Sequence, residues 1–191
     1  ARVLVKGVNV HPGSAKDIMV NAAVVGSEFN SRLPESEQPR TTEGYEGFYH
    51  LISFQGIVEK AELRYIIRDH DMEKFTEKKR IMQETADIIN QKYGEGAVTL
   101  TIRDSYFNMR EKIKPCMYIV ERAKKAMEAV GMDAIEVPIR GGTDGARLSY
   151  EGLPCPNLCT GGENYHGRFE FIPVEDMELC TKMLVEILKN A

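Results

Sequence analysis

The chain has 191 residues, of which 42% are hydrophobic and 28% charged, and its formal net charge is −4. This length and balance are typical of one or two globular domains. A net negative charge gives no general attraction to nucleic acid or anionic lipid, which argues against the strongly basic classes of binding protein. No apolar run reaches the roughly 18 residues of a membrane span, and no signal peptide opens the sequence.

The chain opens on the strand-like segment ARVLVKGVNV without an initiator methionine, so we expect a truncated or processed polypeptide. Its four cysteines, Cys116, Cys155, Cys159 and Cys180, form no CxxC pair and no second ligand pair at zinc-site spacing. Cys116 and Cys180 fall in apolar helical patterns, which predicts a packing role. This cysteine usage favours a reducing compartment, and we expect a cytoplasmic protein.

In the first half, a strand is predicted from Val3 to Val10, where Pro12 and Gly13 interrupt the pattern. Ser14 and Asp17 resemble a capping box, so a helix is predicted to start at Ser14.

Two alternating segments follow a loop rich in proline and charge. Phe48–Phe54 and Ile57–Arg68 predict a hairpin with its turn at Gln55-Gly56. Asp71 is predicted to cap the next helix, and Gly94 to end it.

A further strand over 97–103 completes the order β-α-β-β-α-β. This is the ferredoxin-like pattern, a four-stranded antiparallel sheet with both helices on one face. RNA binding by such a sheet requires exposed aromatic side chains and a basic surround, and this chain is acidic and lacks an RNP1-type run. Pairing of the open sheet edge with a second copy is the favoured alternative.

The second half predicts helix–strand–strand–helix. A helix follows Pro115 and ends before Gly131, the apolar runs Ala134–Ile139 and Leu153–Thr160 predict buried strands, and Pro173 opens the last helix. Two strands are too few for an α/β domain, because a parallel sheet needs more members and cover on both faces. We therefore expect this half to be the tail of a larger domain.

Candidate functional residues lie at the ends of the predicted strands. Arg140 precedes a Gly-Gly-Thr-Asp-Gly turn and offers a planar fork of donors suited to a carboxylate. His166 follows a second Gly-Gly pair and is a candidate metal ligand or acid–base group. His11 lies between a strand end and a helix start, and Arg68 closes a strand. Residue types alone leave open the alternative that all four are solvated turn or strand-end residues.

Three segments carry a resemblance to a known family: KGVNVHPGSAKD, IRGGTDGARLS and LCTGGENYHGRFEFIPVEDM. Together they resemble the C-terminal half of the peptidase T family of tripeptide aminopeptidases. These belong with the di-zinc metallopeptidases that include carboxypeptidase G and succinyl-diaminopimelate desuccinylase. The resemblance implies an α+β fold. Residues 1–107 would form a ferredoxin-like lid that dimerises, and residues 108–191 the C-terminal portion of an α/β catalytic domain.

The resemblance also implies roles for individual residues. His166 corresponds to a zinc ligand. His11 corresponds to a lid histidine that reaches the partner subunit's active site and steadies the scissile carbonyl oxygen. Arg140 corresponds to the arginine that holds the substrate's terminal carboxylate; Arg68 is assigned to the same grip and Asn108 to a substrate contact. The family's other zinc ligands and its general base precede the lid and have no counterpart here.

This departure predicts a fragment of a zinc-dependent tripeptide aminopeptidase that is inactive alone. A catalytic zinc ion takes about three protein ligands, and the resemblance supplies one. Two alternatives stay open: a non-catalytic dimerisation module, and part of a related dipeptidase or N-acyl amino acid deacylase. The expected partners are a tripeptide substrate and a second copy of the chain, with no nucleic acid and no membrane.

Overall fold

A computed structural model describes residues 1–190 of the chain, which divides into two compact units, Ala1–Asp104 and Ser105–Ala191. The elements of the first unit are β1 (Arg2–Lys6), α1 (Ala22–Arg32), β2 (Phe48–Gly56), β3 (Lys60–Arg68), α2 (Met72–Tyr93) and β4 (Val98–Thr101). Those of the second are α3 (Arg110–Ile113), α4 (Tyr118–Ala129), α5 (Asp144–Tyr150) and α6 (Val174–Lys189). Within residues 1–190, every helix is too short or too polar to cross a membrane.

The first unit is built on an antiparallel sheet with the strand order β2-β3-β1-β4. This order and the βαββαβ connectivity are those of the ferredoxin-like fold, so the predicted fold class is confirmed. Alternate strand residues and the inner faces of α1 and α2 form one buried core, which includes Val3, Val5, Phe29, Leu63, Tyr65, Met82, Ile89 and Val98.

The opposite face of the sheet is charged. Glu62 of β3 accepts hydrogen bonds at 2.8 Å from Arg2 of β1 and from Arg64 of β3. Because strand side chains alternate, these three residues lie on the face away from Leu63 and the helices. The open face therefore carries a hydrogen-bonded group of three charged side chains.

Strand β2 forms one edge of the sheet and is irregular. Leu51 pairs with Tyr65 and Ser53 pairs with Arg64, which leaves Ile52 as an extra residue. This is a β-bulge, and it leaves the Ile52 side chain exposed.

Helix α1 begins later than the capping pattern at Ser14 predicted. Pro12–Ser14 form a short 3-10 turn, and α1 starts at Ala22, where the Asn21 side chain accepts hydrogen bonds from two main-chain N–H groups of the first turn. Asp17 adopts a left-handed φ of 60°, which interrupts helical geometry between the two elements.

The predicted hairpin is confirmed, but its turn is not at Gln55-Gly56. The turn occupies residues 57–59, because the N–H of Ile57 donates to the carbonyl of Lys60 at 2.8 Å. Gly56 stays within β2, where an added Cβ would lie 3.1 Å from its cross-strand neighbour. This glycine serves close packing rather than the turn.

Helix α2 begins and ends where the sequence predicts. The Asp71 side chain accepts hydrogen bonds from the N–H groups of Glu73 and Lys74 at 2.9 and 3.0 Å. Gly94 ends the helix with a φ of 104°, a conformation that glycine adopts without steric cost.

The two apolar runs of the second unit do not form the predicted strands. Residues 134–139 and 153–160 are neither helix nor strand, and the Ile135 and Val137 side chains are 75% and 70% exposed. A strand needs a neighbour to take its main-chain hydrogen bonds, and the described residues provide none for these runs. Helices α4 and α6 pack against each other, with Ala126 and Met183 buried.

Candidate functional site

His11 is an exposed residue that caps the 3-10 turn after β1. Its Nδ1 accepts a hydrogen bond from the N–H of Gly13 at 3.0 Å. A ring nitrogen that accepts a hydrogen bond carries no proton, so the neutral imidazole has its proton on Nε2. His11 therefore offers a fixed hydrogen-bond donor, the type of group that stabilises an oxyanion.

Arg68 is the last residue of β3, where it is half-buried and paired in register with Phe48. The next residue, Asp69, turns inward, and its side chain is only 2% exposed. Oδ1 of Asp69 accepts a hydrogen bond from the N–H of Asp71 at 3.0 Å. The strand end that carries Arg68 is thus tied to the start of α2.

A buried ammonium group completes this anchor. Lys78 of α2 has a side chain only 7% exposed, and its Nζ lies 3.4 Å from Oδ2 of Asp69 and also pairs with the carboxylate of Glu37. A charge so deeply buried requires such partners. Sequence reasoning missed Lys78, although it lies on the apolar stripe of α2, three residues after Phe75 and four before Met82.

The segment after Arg140 starts a helix rather than forming only the predicted turn. Thr143 caps α5, and its hydroxyl accepts a hydrogen bond from the N–H of Ala146 at 3.4 Å. An added Cβ at Gly142 would overlap the hydroxyl of Tyr106, so the close approach of that ring requires glycine. Arg140 is half-buried beside this packed turn.

Asn108 is exposed and is linked to the same helix. Its Oδ1 accepts a hydrogen bond from the N–H of Arg110 at 3.0 Å, and its carbonyl accepts one from the Tyr150 hydroxyl at 3.2 Å. The Phe107 and Tyr150 rings lie 5.9 Å apart between centroids. Asn108 and Arg140 therefore both adjoin α5, one at each end of the helix.

His166 lies in a loop closed by two main-chain hydrogen bonds of 2.9 and 3.2 Å between Glu163 and Phe171. Asn164 and His166 both adopt left-handed backbone conformations, with φ of 56° and 63°. The N–H of His166 donates to the carboxylate of Glu170 at 3.0 Å. The main chain is thus held on both sides of an exposed imidazole.

Residues 1–190 contain no group of three or more His, Cys, Asp or Glu side chains placed to hold a metal ion. A protein zinc site takes three or four such ligands. The role of His166 as a zinc ligand stays a prediction.

The predicted site residues fall into two groups. His11 and Arg68 belong to the first unit, whereas Asn108, Arg140 and His166 belong to the second. Within each unit the positions are supported by local hydrogen bonds and packing, but the individual roles remain predictions.

The sequence model of the peptidase dimerisation domain matches residues 1–97, which is more than half of the chain. Among curated proteins, Peptidase T of Clostridium novyi is 54% identical over 98% of this chain and 46% of its own length. Peptidase T of Bacillus pumilus is 53% identical over 99% of the chain and 46% of its own length. The chain thus spans less than half the length of these relatives.

Two solved structures share the fold at lower identity. A tripeptidase from Staphylococcus aureus superposes with a TM-score of 0.77 at 22% identity, covering 99% of this chain and 50% of its own. The aminopeptidase PepT from Bacillus cereus gives a TM-score of 0.68 at 22% identity, covering 98% and 50%. The resemblance found in the sequence is confirmed, and the chain belongs to the peptidase dimerisation domain family.

Proposed function

We propose that the chain is one portion of a zinc-dependent tripeptide aminopeptidase that works as a homodimer. The observation that carries this proposal is the identity of 54% to Peptidase T of Clostridium novyi over nearly the whole chain. Because the chain spans only 46% of that relative, the complete activity is assigned to a longer polypeptide. The four free thiols support a reducing, cytoplasmic location.

In this proposal, residues 1–107 pair two copies of the protein and residues 108–191 complete a catalytic domain. The ferredoxin-like sheet and the family match over residues 1–97 support the first assignment. The exposed apolar runs of the second unit support the second assignment, because such surface is stabilised when further polypeptide covers it.

The site residues receive distinct roles. His11 donates a hydrogen bond from Nε2 to the developing oxyanion. Arg140 binds the C-terminal carboxylate of the tripeptide, Arg68 is assigned to the same carboxylate, and Asn108 is assigned to another contact with the substrate. His166 is one ligand of a metal ion whose remaining ligands lie outside this chain; a bound zinc ion activates water for peptide hydrolysis.

The decisive experiment joins the missing part to this chain. The residues of the Clostridium novyi Peptidase T that precede the matched region are fused to residues 1–191, and the fusion is compared with the 191-residue chain alone. We expect zinc-dependent release of the N-terminal residue from a tripeptide by the fusion only. Equal turnover by the chain alone, or preference of the fusion for a dipeptide or an N-acyl amino acid, would overturn the proposal.

Substitution of Arg140 by alanine in the fusion tests carboxylate binding. Loss of a charged hydrogen bond costs about 1.5–3 kcal/mol, so KM for a tripeptide should rise about 10- to 100-fold. The same variant should lose little on a tripeptide amide, which lacks the carboxylate. Arg147→Ala is the matched control, because Arg147 is exposed on α5 and its ion pair with Glu151, four residues along the chain, is local.

His11→Ala in the same fusion should lower kcat by about 10²- to 10³-fold with little change in KM, as expected for the loss of an oxyanion donor. Substitution of the neighbouring exposed Ser14 by alanine is the control. A rise in KM with unchanged kcat would assign His11 to substrate binding instead.

The second candidate function is a dimerisation module without catalysis, favoured by the family match over residues 1–97. Light scattering and metal analysis of the 191-residue chain separate the candidates. A dimer combined with an inactive fusion would favour the module. If the chain were a monomer at all concentrations, this would contradict the dimerising role of residues 1–107 in both candidate functions.

A further inference from the structure

Two cysteines from separate parts of the second unit meet beside α6. The Sγ–H of Cys180 on α6 donates to the carbonyl oxygen of Cys159 at 3.8 Å. Two residues further along the chain, Gly161 has a φ of 76° and lies so close to Asp176 that an added Cβ would overlap its side chain. Asp176 and Cys180 are four residues apart and share one face of α6. The segment 159–161 therefore runs along this face and touches it at two points.

The two thiols differ in environment. Cys159 is exposed, whereas Cys180 is half-buried. The pKa of the Cys180 thiol is raised, first by burial and then by the neighbouring Cys159 thiol and the Asp176 carboxylate. Cys159 is thus the more accessible of the two thiols to a small oxidant in solution, and the raised pKa keeps Cys180 protonated.

We propose that Cys159 and Cys180 are a redox-active pair that forms a reversible disulfide on exposure to hydrogen peroxide. The sulfur of Cys159 attacks one peroxide oxygen, the O–O bond breaks, and a sulfenic acid and one water form. The sulfur of Cys180 then attacks the sulfenic sulfur, and the hydroxyl leaves as a second water. Two electrons pass from the thiols to the peroxide, and both thiol protons end in water.

The bond closes a loop over residues 160–179, which contains the turn that carries His166. It adds a covalent link to a segment that packs against Asp176 and accepts a weak hydrogen bond from Cys180. Oxidation therefore restricts this turn, and reduction releases it. An effect on catalysis follows only where the proposed function also holds, whereas the disulfide itself does not depend on it.

The test uses the 191-residue chain, fully reduced and then treated with hydrogen peroxide. Titratable thiols should fall from four to two, and the intact mass should drop by about 2 Da. Trypsin cuts after Arg147, Arg168 and Lys182, so peptides 148–168 and 169–182 should remain joined until dithiothreitol is added. Hydrogen exchange of residues 160–170 should slow in the oxidised chain.

Cys155 needs a separate control, because it shares a tryptic peptide with Cys159. Cys155→Ser and Cys116→Ser should keep the bridge, whereas Cys159→Ser and Cys180→Ser should each abolish it. Cys180→Ala is a second variant, accepted only if its far-UV circular dichroism matches the parent. The proposal would be overturned if all four thiols remained after peroxide treatment, or if the disulfide involved Cys155 or joined two chains. It would also be overturned if oxygen were added to a cysteine and no disulfide formed.

Discussion

The two units of the chain use apolar residues in opposite ways. In the first, a hydrogen-bonded sheet and two helices remove a continuous core from water. Among the largest fully buried side chains of residues 1–190, Met183 is the only one from the second unit, where Ile135 and Val137 stay exposed. Similar hydrophobic runs therefore produce a core only when strand neighbours are present to satisfy their main-chain groups.

The largest expected effect tests the packed core of the first unit. Phe29→Ala removes a ring that is completely buried beside Tyr65, and we expect the free energy of unfolding of this unit to fall by about 3–5 kcal/mol. Chemical denaturation, with hydrogen exchange of the core strands as the readout, measures the change in the free energy of unfolding. Phe169→Ala in the second unit is the control, because that ring is 82% exposed, and a loss below about 1 kcal/mol at Phe29 would break the contrast.

Met183→Ala tests the limited core of the second unit. We expect a loss of about 2–3 kcal/mol, the low end for such a change, because loosely packed surroundings can collapse into the cavity. Faster hydrogen exchange should be confined to α4 and α6. Met177→Ala removes a half-exposed side chain of the same helix, so the free energy of unfolding should change little. Equal losses in the two variants would show that α6 lacks a preferred buried face.

Gly142→Ala tests whether the turn after Arg140 is packed as tightly as the core of the first unit. The added methyl group would overlap the Tyr106 hydroxyl, and overpacking of this kind costs about 1–3 kcal/mol. Thermal unfolding of the second unit measures the cost. The double variant with Tyr106→Ala should show less than the sum of the two single losses, and simple additivity would contradict contact between these residues.

The smallest effect concerns pH. Glu28 of α1 accepts hydrogen bonds from Lys92 and Tyr93 of α2 and from Arg32. These donors, Lys92 foremost, hold the pKa of Glu28 at about 2, below its ordinary 4.5. Since the folded pKa is depressed, the carboxylate contributes stability that is fully present above pH 4.5 and is lost as the pH falls towards 2.

Glu28→Gln should therefore differ most from the parent chain near neutral pH, and the difference in the free energy of unfolding should shrink between pH 4.5 and 2. Lys92→Met, which removes one donor, should move this window to higher pH. A difference between Glu28→Gln and the parent that does not vary with pH would mean that packing of the side chain, rather than its charge, links the two helices.

The first unit could be predicted from local patterns because its sheet is complete. The alternating pattern over Ile57–Arg68 predicted the strand β3, and the Asp71 cap predicted the start of α2. The start of α1 could not be predicted, because Asp17, the second residue of the capping-box pattern, adopts a left-handed backbone conformation that residue types do not reveal. The strand predictions for residues 134–139 and 153–160 were wrong. A strand forms only beside a neighbouring strand, and a local sequence pattern does not show whether one is present.

The candidate site was only partly accessible from sequence. Motif resemblance assigned roles to His11, Arg140 and His166, which stay predictions. The structure adds hydrogen bonds at His11 and His166 and places Arg140 beside the packed turn at Gly142. Two groups were missed. The first is the buried charge of Lys78, which depends on Asp69 and Glu37, two residues distant from it in sequence. The second is the pair Cys159 and Cys180, which are close only because residues 159–161 lie along α6.

The bulge at Ile52 has a consequence for solubility. A regular nine-residue edge strand with exposed apolar side chains is a template for indefinite strand addition and fibril growth. The extra residue reverses the alternation of side chains between the two faces of the sheet halfway along β2. A segment that pairs in register with one half of β2 is therefore out of register with the other half. The edge can accept a partner over a limited length while resisting aggregation along its whole span.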